Sequence, residues 1–305
     1  MIAIDKLRDV AALLEAHLIE DPVKEAEGLI TEALLIDKAR LYTSDIEIPD
    51  ELSKRIDSFV ERRSKGEPLQ YIIGHVEFCG LKINVGKGVL IPRPETELLA
   101  EETIKAVMSY ELEVMSRNKS GSGESGRTET LPITHHPVPI TILDLCTGSG
   151  CIALALAKHY PDAVVVGTDR SRAAVEYSVR NAEENNILNV SFIKGDLFDA
   201  VKGIEFDLIV SNPPYVRREE IKTLQREVKD YEPLEALDGG PDGLDFYRRI
   251  FKEAPGYLKR DGLLILEMGY DQAGDINKLA INSGFGDISF IKDYAGIDRI
   301  FTGRK

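Results

Sequence analysis

Asn212, Pro213, Pro214 and Tyr215 follow directly on the apolar run Asp207–Ser211. The Asn212 side-chain carbonyl and the Pro213 backbone carbonyl are two acceptors held close together. Consecutive prolines fix φ and remove two N–H donors, so this turn is stiff and biased toward accepting. Tyr215 adds a flat face. The set suits a planar group bearing an NH2, with both N–H bonds accepted and the plane stacked on an aromatic ring.

A second cluster reads Asp144-Leu-Cys-Thr-Gly-Ser-Gly-Cys-Ile-Ala153, between a strand pattern and a helix pattern. Gly148 and Gly150 let the chain turn tightly and let a ligand lie against the backbone. The next strand pattern ends at Asp169, where a carboxylate can accept both hydroxyls of a ribose. Nicotinamide-dinucleotide folds and S-adenosylmethionine folds both use this pattern, and the loop alone leaves both open. A third strand pattern ends at Gly195-Asp196-Leu197. There Asp196 can accept from an adenine amino group while Leu197 packs on the ring. In an open α/β sheet the ligand crevice lies outside the carboxyl ends of the strands, which sets Asn212 beside this loop.

The elements that must position these residues are legible from periodicity. Strand patterns occur at Thr141–Leu145, Val164–Thr168, Val190–Ile193, Asp207–Ser211 and Leu263–Glu267. Helix patterns occur at Cys151–His159, Arg172–Asn185, Leu244–Glu253 and Gln272–Asn282. The alternation predicts a mostly parallel sheet with helices on both faces. Ile288–Lys292 and Arg299–Thr302, joined around Gly296, predict an antiparallel hairpin at its edge. Ahead of this lie three helix patterns. The first carries Ile4, Leu7, Val10, Ala11, Leu14 and Leu18 on one face, and the others open at Pro22 and Pro49. From Phe78 to Ile91, alternation broken by Gly86-Lys87-Gly88 predicts a hairpin whose second strand is Val89–Ile91. A helix then runs from Glu95 to about Glu113. The expected division is 1–74 helical, 75–93 a hairpin linker, and 94–305 the α/β domain. Ser, Gly, Arg and Thr dominate 116–139, which reads as a flexible insertion. His135-His136 within it has no further ligands at metal-binding spacing, so no metal site is expected.

Composition narrows the class. The 305 residues carry 38 Lys and Arg against 52 Asp and Glu, a net charge of −14. That argues against a chain held on nucleic acid by phosphate neutralisation. No apolar run reaches membrane-helix length, and Asp5, Asp9 and Glu15 interrupt any signal-peptide pattern, so a cytoplasmic location is expected. Cys79, Cys146 and Cys151 lack metal or disulfide spacing and read as free thiols in or near a core.

Several blocks together resemble one family. They are Pro68-Leu69-Gln70-Tyr71-Ile72-Ile73-Gly74, Phe78-Cys79-Gly80-Leu81, Val89-Leu90-Ile91-Pro92-Arg93-Pro94-Glu95-Thr96-Glu97, the Asp144–Gly150 loop, Asn212–Tyr215, Glu232-Pro233 with Leu237, and Leu264-Ile265-Leu266-Glu267. The chain resembles the HemK/PrmC protein-(glutamine-N5) methyltransferases along nearly its whole length. The resemblance implies a Rossmann-like methyltransferase fold with a seven-stranded sheet behind a helical substrate-recognition domain. It implies S-adenosylmethionine as cofactor, on Cys146, Thr147, Gly148, Ser149, Gly150, Asp169, Asp196, Leu197 and Asn212. It implies that Asn212, Pro213, Pro214 and Tyr215 hold the glutamine of the Gly-Gly-Gln motif of class-1 peptide-chain release factors. Cys146 departs from the glycine often found first in the family's loop, and 116–139 is an added segment. Arg93 and Glu267 lie in shared blocks and read equally well as structural ion-pair partners. The rival readings are a DNA adenine or ribosomal RNA guanine N-methyltransferase and a non-catalytic S-adenosylmethionine-binding adaptor.

Overall fold

The computed structural model describes residues 1–120 and 139–305. Five helices come first: α1 (Ala3–Ala16), α2 (Pro22–Leu34), α3 (Lys38–Thr43), α4 (Asp50–Ser64) and α5 (Leu69–Ile73). Leu7, Val10, Leu14, Leu29, Ile30 and Ile56 form a core of their own among them. Pro22 occupies the first turn of α2 as expected, where its missing N–H has no intrahelical use. Leu18 is exposed, contrary to the expected face. It lies past the end of α1 with φ 60°, outside helical geometry.

A hairpin follows, β1 (His75–Phe78) with β2 (Leu81–Asn84). Its position corrects the expected one. The turn is Cys79-Gly80, both at positive φ (48° and 67°), and Val89–Ile91 forms no strand. A two-residue turn with both residues at positive φ matches the strand twist. The Val89 and Ile91 backbone groups find side chains: Tyr71 Oη donates to the Val89 carbonyl, and the Ile91 N–H donates to Glu232 at 3.1 Å. Residues 84–88 press on α8 (Arg172–Glu184); a Cβ on Gly86 would meet the Tyr177 hydroxyl at 2.2 Å. Asn181 of α8 accepts from the Asn84 N–H at 2.7 Å and donates to the Ser149 carbonyl at 2.9 Å. One side chain thus ties the hairpin to the glycine loop.

Helix α6 (Pro94–Ser120) outruns the expected end near Glu113, so the first five residues of the expected 116–139 insertion are helical. Residues 121–138 of that segment, including His135-His136, lie outside the described residues. The remaining elements are β3 (Thr141–Leu145), α7 (Cys151–His159), β4 (Val164–Asp169), β5 (Val190–Lys194), β6 (Phe206–Ser211), α9 (Arg226–Tyr231), α10 (Asp245–Glu253), β7 (Leu258–Glu267), α11 (Ala273–Asn282), β8 (Gly286–Lys292) and β9 (Asp298–Arg304). The sheet order is β5-β4-β3-β6-β7-β9-β8, parallel from β5 to β7, with β9 antiparallel to both β7 and β8. This is the expected Rossmann-like arrangement. The chain winds outward from β3 through β4 to β5, then returns to β6 on the other side of β3. The crevice of such a sheet opens at that reversal. Register makes the placement sharp: Leu145 pairs with Thr168 on one side and Ser211 on the other. Cys146, Asp169 and Asn212 therefore all stand one residue beyond the same line.

The helical segment is fastened to the rest by a buried cation. Arg63 of α4, with its side chain 4% exposed, donates to Glu25 of α2 at 2.7 Å and pairs with Glu227 of α9 at 2.7 Å. Breaking a buried ion pair from one side typically costs about 3–5 kcal/mol. Both carboxylates here retain some solvent contact, so Arg63→Ala is expected to cost about 2–3 kcal/mol. Urea unfolding checks this; an unchanged midpoint would show the pair to be energetically idle.

Candidate active site

The loop after β3 lies across the carboxyl end of the sheet, over β4. Its Thr147 N–H donates to the Thr168 carbonyl at 3.0 Å. Below it, buried Asp144 accepts from Thr147 Oγ1 at 2.6 Å and from the Ala153 N–H at 3.2 Å, joining loop and helix. Burial pushes the Asp144 carboxyl up to about 7. Gly148 sits at φ 56°, and a Cβ there would meet nothing closer than the Cys146 carbonyl oxygen at 3.9 Å. The loop is bare on that side. Cys146 sits at φ 57°, in the left-handed region where an L-residue costs about 1–2 kcal/mol. That conformation explains a glycine preference at this position, and Cys146 adopts it regardless. Its thiol is driven upward by burial, away from thiolate chemistry.

Asp169 is fixed by two backbone donors, Gly148 N–H at 3.0 Å and Ser171 N–H at 2.8 Å. Each carboxylate oxygen keeps a free lone-pair direction, and burial raises its pKa. Leu197, also at positive φ, is buried. Asp196 gives one oxygen to Arg249 at 2.9 Å, leaving the other.

These residues line one cleft at the carboxyl ends of the strands. Cys146, Thr147, Gly148, Ser149, Asp169, Asp196, Leu197, Asn212 and Pro214 all face it. Gly150 does not. At φ 81° it starts α7, and a Cβ there would strike Ser178 at 2.8 Å and Phe192 at 2.9 Å, so its bareness serves packing. A second cleft lies outside the first, lined by Pro213 and Tyr215 on the sheet side and by Glu25, Pro68 and Gln70 from the helical segment. Leu90, Asn212 and Ala236 line both, so the two clefts meet at Asn212.

Asn212 is not free to turn. Its Nδ2 donates to Thr96 Oγ1 at 3.1 Å, and Thr96 Oγ1 donates to Glu267 at 2.9 Å. The other Glu267 oxygen accepts from the Tyr215 hydroxyl at 3.1 Å. Burial pushes Glu267 up to about 7 and drives the Tyr215 phenol well above its ordinary value. Glu267 thus lies among hydroxyls. Arg93 does form an ion pair, with buried Glu232.

Sequence reasoning missed Thr96, Phe246 and the wall formed by Gly88–Leu90. Thr96 lies inside a quoted block, which was its one signal. Phe246, flanked by Arg170 and Arg249 at 5.8 and 5.9 Å from its ring, carried none.

The PrmC N-terminal domain family matches residues 5–74, and the Methyltransferase small domain family matches residues 114–230. A release factor glutamine methyltransferase of Thermodesulfovibrio yellowstonii is 46% identical, covering 100% of this chain and 99% of its own. That of Geobacter sulfurreducens is 40% identical, covering 94% and 90%. Among solved structures, a methyltransferase from Pyrococcus furiosus superposes with a TM-score of 0.50 at 21% identity, over 74% of this chain and 89% of that one. At such identity the likeness speaks for the fold alone. The full-length identities decide the relationship: this chain is a methyltransferase, and it belongs to the release factor glutamine methyltransferase family.

Proposed function

We propose that this chain transfers a methyl group from S-adenosylmethionine to the side-chain amide nitrogen of the Gly-Gly-Gln glutamine in class-1 peptide-chain release factors, in the cytoplasm. The observation that carries the reading is the meeting of the two clefts at Asn212. The inner cleft suits an adenosine-bearing cofactor. Its loop is bare at Gly148, Asp169 has lone pairs to spare for a ribose, and Leu197 offers an apolar face for a base. The outer cleft suits a peptide, with residues of the helical segment lining it opposite Pro213 and Tyr215.

When bound, S-adenosylmethionine supplies an electrophilic sulfonium methyl. The chain's own residues do the rest. An amide nitrogen is a poor nucleophile because its lone pair is delocalised into the carbonyl. Holding it at attack distance is worth up to about 7–11 kcal/mol in favourable cases. The Asn212 side-chain carbonyl and the Pro213 backbone carbonyl accept the two N–H bonds. They stabilise the positive charge that grows on nitrogen, away from water. Tyr215 supports the amide plane, its ring fixed by the hydroxyl bond to Glu267. No general base is required before transfer; the surplus proton leaves afterwards to water.

The direct test is mass spectrometry of a release factor incubated with the protein and S-adenosylmethionine. A gain of one methyl on that glutamine supports the reading, and methylation elsewhere or none refutes it. A companion measurement addresses the cofactor. Asp169→Ala removes charge-assisted acceptors and unties the Gly148 and Ser171 amides, so S-adenosylmethionine affinity is expected to fall by about 1.5–3 kcal/mol in calorimetry. Unchanged affinity would place the ribose elsewhere.

A further inference from the structure

We infer that Thr96 is a positioning residue: its hydroxyl, oriented by the Glu267 carboxylate, dictates which way the Asn212 amide faces. The inference rests on the proposed role of Asn212 as an acceptor. An asparagine amide offers a carbonyl on one side and an NH2 on the other, and the two have nearly the same shape. A pocket that merely accommodates asparagine admits both orientations, and only one of them accepts from a substrate NH2.

The polarity is set from the far end. An ionised carboxylate only accepts. Glu267 is buried at the end of β7, and both its oxygens are engaged, one by Thr96 Oγ1 at 2.9 Å and one by the Tyr215 hydroxyl at 3.1 Å. Thr96 has one proton, and it is committed to Glu267. The Thr96 oxygen can then only accept from Asn212, and the only donor on that side chain is Nδ2, at 3.1 Å. The Asn212 carbonyl is left facing away from Thr96, free to accept. The three members come from α6, from the end of β6 and from the end of β7. Thr96 is itself 2% exposed, so water does not compete for its hydroxyl.

Substitutions separate this relay from plain packing. Thr96→Val keeps the shape and removes the hydroxyl. It is expected to lower kcat by about tenfold or more, the scale of one misdirected buried hydrogen bond, with KM for S-adenosylmethionine within about twofold of wild type. Thr96→Ser restores the hydroxyl and is expected to recover most of the rate. Glu267→Gln replaces a pure acceptor by a group that also donates. The direction of the relay is then undefined, and kcat falls without loss of fold by circular dichroism.

A pH profile gives a further readout. Burial pushes Glu267 up to about 7. Around it stand the Thr96 and Tyr215 hydroxyls, Glu95 from α6, which raises its pKa, Arg299 from β9, which lowers it, and the Tyr247 phenol of α10 on its backbone carbonyl. The relay needs the ionised form, so kcat is expected to rise with pH through about 7 in the wild type. That inflection should vanish in Glu267→Gln. Asn212→Ala is run alongside. If it falls as expected while Thr96→Val and Glu267→Gln stay within about twofold of wild type, the relay is wrong and the acceptor role stands. If Asn212→Ala itself is near normal, the acceptor role is wrong.

Discussion

Asn212→Ala is expected to lower methyl transfer at least about a hundredfold, the range for losing one transition-state contact in a water-excluded site. The loss should appear in kcat. The amide bonds it accepts strengthen as charge develops on nitrogen, so they contribute little to the resting complex and more at the transition state. S-adenosylmethionine binding should fall much less, because Asp169, Leu197 and the Cys146–Ser149 loop remain in place. Single-turnover methylation read by mass spectrometry, with calorimetry for the cofactor, separates the two. Near-normal turnover would remove the proposed mechanism. The partner acceptor, the Pro213 carbonyl, cannot be deleted by a side-chain change, which makes Asn212 the more decisive of the pair.

How much of this was legible in the sequence follows from how each part is held. The crevice residues were legible because strand ends are. Strands β3, β4 and β6 end where their apolar runs end, and parallel register then aligns Cys146, Asp169 and Asn212 without further information. The hairpin was misplaced because Gly86-Lys87-Gly88 is a stronger turn signal than Cys79-Gly80. Its glycines serve close approach to α8 instead: a Cβ on Gly86 would meet the Tyr177 hydroxyl at 2.2 Å, and Gly88, at φ 97°, lies tight against Ala173. Leu18 kept helical spacing past the point where the backbone leaves the helix. Thr96 was illegible as a site residue for a different reason. Its partners, Asn212 and Glu267, lie 116 and 171 residues away in the chain, and nothing local to α6 distinguishes it from a core threonine. Side chains that act by holding another side chain leave no periodic trace.

The second large effect concerns the helical segment. A pocket built for one amide cannot choose a single glutamine among the many a cell contains, so selection must come from contacts away from the reacting atom. Binding energy at such contacts is commonly spent on orienting the substrate. The outer cleft has the geometry for this: Glu25, Pro68 and Gln70 form one wall, while Asn212, Pro213 and Tyr215 form the other. We propose that the helical segment is the wall that reads the release factor. Removing residues 1–70 is then expected to leave S-adenosylmethionine binding nearly unchanged, since no residue of that segment lines the inner cleft. It should cut kcat/KM on intact release factor by about a hundredfold, a loss of roughly 2.7 kcal/mol in transition-state stabilisation. A free Gly-Gly-Gln peptide, too short to span both walls, should lose far less. The α/β part keeps apolar clusters of its own on either side of the sheet, centred on residues such as Leu154 and Tyr247, and circular dichroism establishes whether the truncated chain has folded. Equal impairment on both substrates in a folded truncation would reduce the helical segment to a cover for apolar surface. The same comparison in full-length Arg63→Ala, which loosens the attachment to Glu227 of α9 without deleting the wall, should give a smaller split of the same sign.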